Sequence, residues 1–358
     1  MSIDRRNFLG MSAVAAATPL LSACSAYDKV PVDAVPRSAF DDESTAVQVT
    51  EGIDLKGKIA VVTGCTSGIG FETMRVLALR GAYVIGTSRS LERAEEACKG
   101  VRGMTTPLQL ELSDFDSVVS CAETIRSMNR PVDMLICNAG HRGGGNEQEL
   151  INGVEKHFIV NHLGHFLLVN RLLDRLYYAW QGRIVVVASR AAYREAPEGG
   201  ILFDDLRITR DYGDAMAYGH SKLANVLFSL ELGKLLRGSR ITSNALHPGL
   251  INTEIDRNVN RFLQFGFGVL AAVSGKNIEE GAATSCYVAT NPLLGSTSGR
   301  FFEDCNAIDL VGDTHMQDMA MADRLWLLSE ELTRDYLVRH EPADWAEFEN
   351  GLPRKKDR

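Results

Sequence analysis

Tyr218 and Lys222 are the pair of side chains best suited to chemistry in this sequence, because they stand four residues apart within the stretch 217–225. The Lys, Leu and Ala content of that stretch favours a helix, on which residues four apart share one face. A free phenol ionises near pH ~10, so a cation held beside it makes it a usable proton donor and acceptor at neutral pH. The spacing predicts an acid–base pair, although two neighbours on a solvated helix would have the same spacing.

Three glycines after the first apolar strand predict a turn that binds phosphate. Residues 58–63 are a short β-branched run, and residues 71–80 have a helical pattern. Between them lie Gly64, Gly68 and Gly70. Glycine lets the backbone approach a pyrophosphate, and the helix N-terminus adds amide donors and a positive dipole end. The strand, turn and helix together predict a dinucleotide site.

Arg89 indicates which dinucleotide is bound. The second strand, predicted over 82–88, ends at Ser88 and is followed by Arg89, where a dinucleotide site meets the adenosine ribose. An acidic residue there would bind the ribose hydroxyls, whereas arginine pairs with the extra phosphate of NADP. The sequence therefore favours NADP(H); the alternative is a surface arginine.

Strands and helices alternate along the rest of the chain. The predicted strands cover 106–110, 132–137, 183–188 and 241–246, and the predicted helices cover 90–99, 113–128, 149–178 and the Tyr218 helix to about residue 236. Continuous β-branched strands between helices are typical of a parallel sheet covered on both faces. We therefore predict an α/β fold, a single Rossmann-type doubly wound parallel sheet with helices on both faces. Ligands bind at the carboxyl ends of such strands, which Gly64, Asn138, Ser189 and Pro248 follow.

Composition is consistent with one large domain. The chain has 358 residues, of which 45% are hydrophobic and 23% charged, as in an ordinary globular protein. Its net charge of -8 argues against nucleic-acid binding, which usually needs a basic face. The cysteines form no CxxC pair and no metal-like cluster with histidine, so no metal is predicted. Five are expected to be small buried hydrophobes, namely Cys65, Cys98, Cys121, Cys137 and Cys286.

The N-terminus resembles two export signals in series. Arg5 and Arg6 before the apolar run 11–21 resemble the twin-arginine signal, and Leu-Ser-Ala-Cys ending at Cys24 resembles the lipobox of bacterial lipoproteins. These resemblances imply a signal over 1–23 and an exported lipoprotein, anchored to a membrane through Cys24 on the periplasmic side. Without them the protein would be cytoplasmic.

Three further segments follow from composition. The acidic, proline-containing stretch 24–50 has no period and is predicted to be a flexible tether. Residues 51–340 form the predicted catalytic domain, and 341–358 a polar C-terminal tail.

Several motifs make the chain similar to the short-chain dehydrogenase/reductase superfamily over residues 52 to 340. They are TGCTSGIG at 63–70, CNAG at 137–140, VNHLGHF at 160–166, Ser189, YGHSK at 218–222 and HPGLINT at 247–253. NHLGHFLL, HSKLAN, SGRFFEDCN and ADRLWLLSEELT resemble the retinol-dehydrogenase and WW-domain-oxidoreductase branch. The resemblance implies an NADP(H)-dependent enzyme that interconverts an alcohol and a carbonyl.

The resemblance also implies a catalytic tetrad of Asn161, Ser189, Tyr218 and Lys222. Tyr218 would exchange a proton with the substrate oxygen, while Lys222 stabilises the phenolate and holds the nicotinamide ribose. Ser189 would position the substrate oxygen. Asn161 would order a water in a proton relay from Lys222. A capping serine and an asparagine that bends its helix are the plainer alternatives.

The implied cofactor site follows the carboxyl edge of the sheet. Its residues are Thr63, Gly64, Ser67, Gly68, Ile69, Gly70, Ser88, Arg89, Glu111, Leu112, Asn138, Ala139, Gly140, Tyr218, Lys222, Pro248, Gly249 and Thr253. Glu111 stands where the family has an aspartate at the adenine, so that contact is open. The sequence His-Arg-Gly-Gly-Gly at 141–145 is unusual and is expected to reshape the rim. His162 and His165 are predicted to be packed helix residues rather than metal ligands.

The substrate and other functions are less closely defined. The apolar segment 262–270 lies where the superfamily places its substrate lid, which favours a hydrophobic alcohol or carbonyl; an ordinary core helix is an equal alternative. Double-bond reduction of the protochlorophyllide reductase type and a cofactor-retaining lipoprotein without turnover also stay open. The resemblance further implies a homo-oligomer, a dimer or tetramer, built on the long helices around Asn161 and Tyr218.

Overall fold

The computed structural model of the chain describes residues 27–143, 148–249, 276–312 and 314–337. The predicted signal over 1–23, the predicted anchor Cys24, the predicted cofactor residue Thr253, the lid segment 262–270 and the tail 341–358 lie outside these residues. Among the described helices, none combines the length and the apolar character needed to cross a bilayer.

Nine of the described strands form one sheet. The strands are β1 (Lys29–Pro31), β2 (Ile59–Thr63), β3 (Tyr83–Ser88), β4 (Met104–Gln109), β5 (Met134–Cys137), β6 (Leu150–Ile151), β7 (Val154–Glu155), β8 (Gly182–Val187), β9 (Ile241–His247), β10 (Phe301–Glu303) and β11 (Asn306–Leu310). The order in the sheet is β1-β11-β10-β9-β8-β5-β2-β3-β4, and β6 and β7 form a separate hairpin. From β10 to β4 every neighbouring pair is parallel, and the chain reverses its direction of growth between β2 and β5.

Helices cover both faces of this sheet. They are α1 (Ala46–Val49), α2 (Gly68–Leu79), α3 (Leu91–Lys99), α4 (Phe115–Ser127), α5 (Gly164–Tyr177), α6 (Ala191–Arg194), α7 (Asp214–Leu235), α8 (Ile278–Gly281), α9 (Ala283–Thr290) and α10 (Met319–Thr333). One apolar core lies against α4, α5, α7 and α10, and the other against α1, α2, α3 and α9. Because both faces are covered, β2, β5, β8 and β9 are buried along their whole length. The predicted doubly wound α/β class is confirmed.

The stretch that the sequence predicts as a flexible tether is part of the fold over its described residues. Strand β1 pairs antiparallel with β11 and forms one edge of the sheet. Val32, Val35, Ala46 and Val49 are buried in the core. The tether prediction is therefore wrong for residues 27–50, since four apolar side chains scattered among prolines and acids bury themselves without any regular period.

The predicted helix over 149–178 is also divided. Residues 150–155 form the β6–β7 hairpin, and a π-helical turn, Phe158–Leu163, precedes α5. Asn152 and Gly153 form the tight turn with positive φ of 51° and 81°, conformations that asparagine and glycine tolerate. The π-helical turn contains Asn161, and single π-helical turns are often found at functional positions.

Helix α10 covers the outer faces of the two long helices. Trp326 lies edge-on to Phe166 of α5 at 5.0 Å and stacks on Phe228 of α7 at 6.0 Å, measured between ring centroids. Ser329 of α10 accepts a hydrogen bond from His162 Nε2 at 2.8 Å. Fifteen of the 22 residues of α7 are buried. Helix α10 therefore packs on part of the long helices on which the sequence predicts a homo-oligomer, and that assembly stays a prediction.

Candidate active site

Tyr218 and Lys222 lie side by side on α7, as their spacing predicts. Lys222 Nζ lies 5.6 Å from the centroid of the Tyr218 ring and donates a 2.9 Å hydrogen bond to the carbonyl oxygen of Val187, at the end of β8. Both side chains are buried. Burial disfavours the ammonium form and lowers the pKa of Lys222 to about 8. A buried cation is therefore held against the aromatic ring, beside the carboxyl end of a central strand.

Ser189 follows β8 by two residues and so lies at the same strand end. Its Oγ accepts a hydrogen bond from the backbone N–H of Ala191 at 3.2 Å, which leaves the hydroxyl hydrogen to be donated elsewhere. The next backbone N–H, of Arg190, donates to His247 Nδ1 at the end of β9 at 3.3 Å. The position of Ser189 is thus fixed from two neighbouring strands.

Asn161 connects the turn after β5 to α7. Its Nδ2 donates to the carbonyl oxygen of His141 at 3.0 Å and to Ser221 Oγ at 2.9 Å, and its Oδ1 accepts the backbone N–H of His141 at 2.6 Å. Ser221 in turn donates to the carbonyl oxygen of Tyr218 at 2.8 Å. Among the described residues no hydrogen bond joins Asn161 to Lys222, so a part in a proton relay stays a prediction. Its observed task is to clamp the loop at His141.

His165, which the sequence predicts as a packed residue, ties the two halves of the site together. Its Nδ1 lies 3.1 Å from the carbonyl oxygen of Asn161, which can only accept, so Nδ1 carries the proton. Burial lowers the pKa of His165 to about 4, so the ring is neutral, and Nε2 accepts from Thr63 Oγ1 at 2.9 Å. Thr63 Oγ1 also accepts the backbone N–H groups of Asn138 and Ala139, each at 2.9 Å. The ends of β2 and β5 are thereby joined to the π-helical turn.

The loop after β5 places the charged side chain of Arg142 against Tyr218. The guanidinium carbon of Arg142 lies 4.9 Å from the centroid of the Tyr218 ring, and the centroid of the His157 ring lies 6.2 Å from that of Tyr218. His157 Nε2 accepts the backbone N–H of Gly143 at 2.9 Å, so its Nδ1 holds the proton and donates to Glu155 Oε1 at 2.7 Å. The expectation that this loop shapes the rim agrees with its described residues.

Sequence reasoning missed Glu155, His157 and Asp214. Asp214 Oδ1 lies 3.7 Å from His157 Nε2 and so near Gly143 that a Cβ there would come within 1.9 Å of it, which explains the glycine. Glu155 and His157 stand two residues apart in a stretch predicted to be helical, where such residues point away from each other. Glu155 ends β7 and His157 directly precedes the π-helical turn, so the junction of the two elements brings their side chains together.

The glycine turn after β2 is a tight one, closed by a close approach between backbone segments. A Cβ on Gly70 would lie 2.1 Å from the carbonyl oxygen of Gly64 and 2.4 Å from Asn138 Nδ2. Asn138 Nδ2 donates to the carbonyl oxygen of Thr63 at 2.8 Å and so holds the turn. Ser67 precedes α2 without capping it through its side chain, which leaves the first amides of α2 available to an anion. The predicted residues Gly68 and Ile69 open this helix.

Arg89 lies at the carboxyl end of β3, one residue beyond Ser88. Arg89 is exposed, and its backbone carbonyl accepts Gln109 Nε2 at 3.1 Å. Within the described ranges, no hydrogen bond or ion pair engages its guanidinium. Contact of Arg89 with the ribose end of a dinucleotide stays a prediction.

Glu111 uses its carboxylate locally. Its Oε1 accepts the backbone N–H of Ser113 at 3.0 Å and the Ser113 hydroxyl at 2.7 Å. The neighbouring Leu112 is buried, and its carbonyl oxygen would lie 2.4 Å from a Cβ on Gly164. The longer side chain thus folds back on its own loop, and an adenine contact by Glu111 stays a prediction.

Pro248 and Gly249 follow β9 at the same edge of the sheet. Gly249 has a φ of 104°, and a Cβ there would lie 2.6 Å from the side chain of Lys276. Together with Gly140 and Ala139 after β5, they complete the described part of the predicted cofactor cleft. The sheet thereby gathers the predicted cofactor residues from the carboxyl ends of five strands, β2, β3, β4, β5 and β9.

The remaining histidine prediction concerns His162. It is buried between Phe158 and Phe228 and donates to Ser329 of α10, although it directly follows Asn161 in the chain. Across the described ranges no group of three His, Cys, Asp or Glu side chains is arranged to hold a metal ion. His162 is a packed residue, as predicted.

Comparison with known proteins places these features in a family. The sequence model of the short chain dehydrogenases matches residues 58–201. The chain is 40% identical to "Short-chain dehydrogenase TIC 32 A, chloroplastic" from Brassica napus over 311 residues, which is 83% of this chain and 95% of that protein. It is 38% identical to retinol dehydrogenase 12 from Mus musculus, over 79% of this chain and 88% of that protein.

Two further matches agree with these. WW domain-containing oxidoreductase from Gallus gallus is 36% identical over 86% of this chain and 75% of that protein. The crystal structure of an uncharacterised protein from Mycobacterium paratuberculosis superposes with a TM-score of 0.63 at 31% identity, over 80% of this chain and 97% of that one.

Proposed function

The chain belongs to the short-chain dehydrogenase/reductase family, in its retinol-dehydrogenase-like branch, and from that premise we propose that it is an NADP(H)-dependent oxidoreductase interconverting an alcohol and a carbonyl. The observation that carries the proposal is the buried contact between Lys222 and Tyr218, with Ser189 at the same strand end. A cation close to a tyrosine favours its phenolate and so makes it a usable proton donor, and a serine at the same strand end can hold the oxygen that receives the proton.

Three residues of the chain have distinct roles in the proposed reaction. When bound, NADP(H) supplies or accepts a hydride at its nicotinamide ring. The Tyr218 hydroxyl gives a proton to the carbonyl oxygen, or takes one from the alcohol in the opposite direction. Lys222 stabilises the phenolate that results, and Ser189 donates its hydroxyl hydrogen to the substrate oxygen and fixes its distance from the reacting carbon.

The choice of cofactor rests on two features of the site, the glycine turn after β2 and the charge at the end of β3. The residues present fit a dinucleotide, because the Gly64–Gly70 approach would be closed by a single Cβ and the first amides of α2 are uncapped by Ser67. Arg89 supplies a cation at the ribose end, where the 2′-phosphate of NADP(H) would lie. We therefore propose NADP(H) rather than NAD(H).

The substrate class rests on sequence. The apolar segment 262–270 supports a hydrophobic alcohol or carbonyl as the substrate. The described side chains beside Tyr218 are more polar than the segment 262–270, since they include Arg142 and His157. We propose that these polar groups border the reacting end of a largely apolar molecule.

The proposed reaction is tested by following NADPH oxidation with panels of carbonyl compounds and enones. We expect turnover with at least one hydrophobic aldehyde or ketone. Tyr218→Phe should lower kcat by a factor of at least ~100, because the proton donor is lost, while NADPH still binds. The matched change Tyr178→Phe, at a tyrosine that is 57% exposed, should leave kcat unchanged. Full activity of Tyr218→Phe, or reduction of enone double bonds alone, would contradict the proposal.

We also propose that the protein is exported and anchored to a membrane through Cys24, as the signals at its N-terminus suggest. Cell fractionation of a bacterial host is the direct measurement. The wild type should appear in the membrane fraction and Cys24→Ser should leave it. Purification of the wild type with an intact Met1 from the cytosol would reject the anchor.

A further inference from the structure

The N-terminal arm, defined here as residues 27–31, contacts the segment that carries Ser189. Lys29 Nζ lies 2.8 Å from Glu303 Oε1, and Glu303 is only 2% exposed. The same oxygen accepts Arg190 Nε at 2.5 Å. Arg190 is the residue after Ser189, so one buried carboxylate joins the arm to the predicted catalytic serine.

A second, apolar contact joins the arm to the same segment. The ring of Tyr27 meets the ring of Tyr193 edge to face, with 5.7 Å between centroids. Tyr193 lies on α6, which begins two residues after Ser189, and is 6% exposed. The backbone carbonyl of Asp28 accepts the N–H of Val311 at 2.9 Å, which fixes the arm beside β11.

The other side of α6 lies against the tyrosine helix. A Cβ on Gly219 would come within 2.5 Å of the backbone nitrogen of Ala196 and of the carbonyl carbon of Glu195, just after α6 ends. Gly219 is the neighbour of Tyr218. The segment from Ser189 to Ala196 is therefore held between the arm on one side and the general acid's own helix on the other.

We propose that Tyr27 and Lys29 are positioning residues, which clamp the 189–196 segment so that the Ser189 hydroxyl keeps its place beside Tyr218. The inference rests on the proposed function and extends it, because it assigns a role in the reaction to a stretch that precedes the dinucleotide-binding strand. The arm acts through Glu303, Arg190 and Tyr193 and does not touch the substrate. Small displacements of a group that orients a reacting oxygen cost far more in rate than in binding.

The test compares two lysines in similar environments. Lys29 and Lys58 have side chains that are each 36% exposed, and each pairs with a buried carboxylate, Glu303 or Asp133, at 2.8 and 2.9 Å. Lys58 precedes β2 and therefore lies at the amino end of that strand, whereas the candidate site lies at the carboxyl ends of the strands. Lys29→Met should lower kcat by roughly ten- to a hundredfold with NADPH affinity within about twofold of wild type. Lys58→Met should leave kcat unchanged, and Lys29→Arg should restore it.

A second measurement needs no substrate. Hydrogen–deuterium exchange of the full-length protein should show several-fold faster exchange over residues 189–196 in Lys29→Met and in Tyr27→Ala, but not in Lys58→Met. Unchanged kcat and unchanged exchange in Lys29→Met would overturn the proposal, as would equal losses in the Lys29 and Lys58 variants. If no carbonyl compound is turned over by the wild type, the proposed function fails, while the exchange data still decide whether the arm holds this segment.

Discussion

At the scale of single residues, burial and charge oppose each other most directly at Lys222. Desolvation lowers the pKa of Lys222 from 10.5 to about 8 in the folded protein. In the unfolded chain the lysine keeps its proton to a higher pH, so between about pH 8 and pH 10.5 the unfolded state binds more protons. The free energy of unfolding therefore rises with pH in that window. The difference between the two pKa values corresponds to on the order of 3 kcal/mol.

We expect Lys222→Met to remove this dependence on pH. Chemical unfolding of the cofactor-free proteins at about pH 7, 8, 9 and 10 gives the stability of wild type and variant. The free energy of unfolding of the wild type minus that of the variant should increase from pH 8 to pH 10, because only the wild type has a buried lysine that loses its charge as the pH rises. Lys99→Met, at an exposed position of α3, provides the baseline. A difference that does not vary with pH would contradict the argument.

Arg89 allows a prediction about the cofactor. Arg89→Ala should weaken NADPH binding by roughly ten- to a hundredfold, because a charge-assisted pair with the 2′-phosphate is lost, and should leave NADH binding nearly unchanged. Fluorescence titration with each nucleotide measures both affinities. Arg102→Ala, at another exposed arginine, should alter neither. Equal losses for the two nucleotides would refute the NADP(H) assignment.

Single-residue prediction from sequence succeeded where spacing along one element decides proximity. Tyr218 and Lys222 share one helix face, so their contact follows from α-helical geometry. The partners of Asn161 and Glu111 do not follow in this way. Asn161 accepts the backbone N–H of His141, twenty residues earlier in the chain, and Glu111 accepts that of Ser113, two residues later. Both contacts depend on loop conformations, which spacing along one helix or strand does not predict.

At the scale of elements, the turn between β2 and α2 depends on a close backbone approach. Gly70→Ala would place a Cβ 2.1 Å from the carbonyl oxygen of Gly64. The turn must open, so we expect a loss of about 1–3 kcal/mol in stability and a much larger loss in NADPH binding. Thermal unfolding and nucleotide titration measure the two effects.

Gly199→Ala is the control for this change. A Cβ on Gly199 would have no neighbour within 4 Å, so stability and NADPH binding should stay close to wild type. If Gly70→Ala binds NADPH as tightly as Gly199→Ala does, the turn is not the pyrophosphate site.

Elements were predictable where hydrophobic residues recur with a clear period. The strand predicted over 241–246 matches β9, although β9 also contains polar residues, and the predicted end of the Tyr218 helix near residue 236 matches the end of α7. The β6–β7 hairpin and strand β1 were missed. Each strand has only two or three residues, too few to set a period, and what holds β1 is a strand nearly 280 residues away.

At the scale of the whole molecule, we propose that α10 limits how the chain can associate. Trp326 packs on Phe166 and Phe228, so α10 covers the part of α5 and α7 where these two rings lie. We expect light scattering at micromolar concentration to give the mass of one 39.2 kDa chain or of a slightly shortened one. Twice that mass would show that an assembly forms through other surfaces.

Trp326 also provides the matched test. Trp326→Ala should uncover Phe166 and Phe228, lower stability by about 3 kcal/mol and raise the average mass at high concentration. Trp180→Ala removes a tryptophan that is 69% exposed and should change neither quantity. Equal behaviour of the two variants would mean that α10 does not shield this face.

The two outermost strands of the sheet, β1 and β4, each contain a proline, Pro31 and Pro107. Proline has no amide hydrogen, so neither rim presents an unbroken row of donors to a strand from another molecule. The addition of strands from other molecules is thereby disfavoured at both outer strands of the sheet. A nine-stranded sheet that would otherwise invite fibril growth can be kept at high local concentration without seeding aggregates.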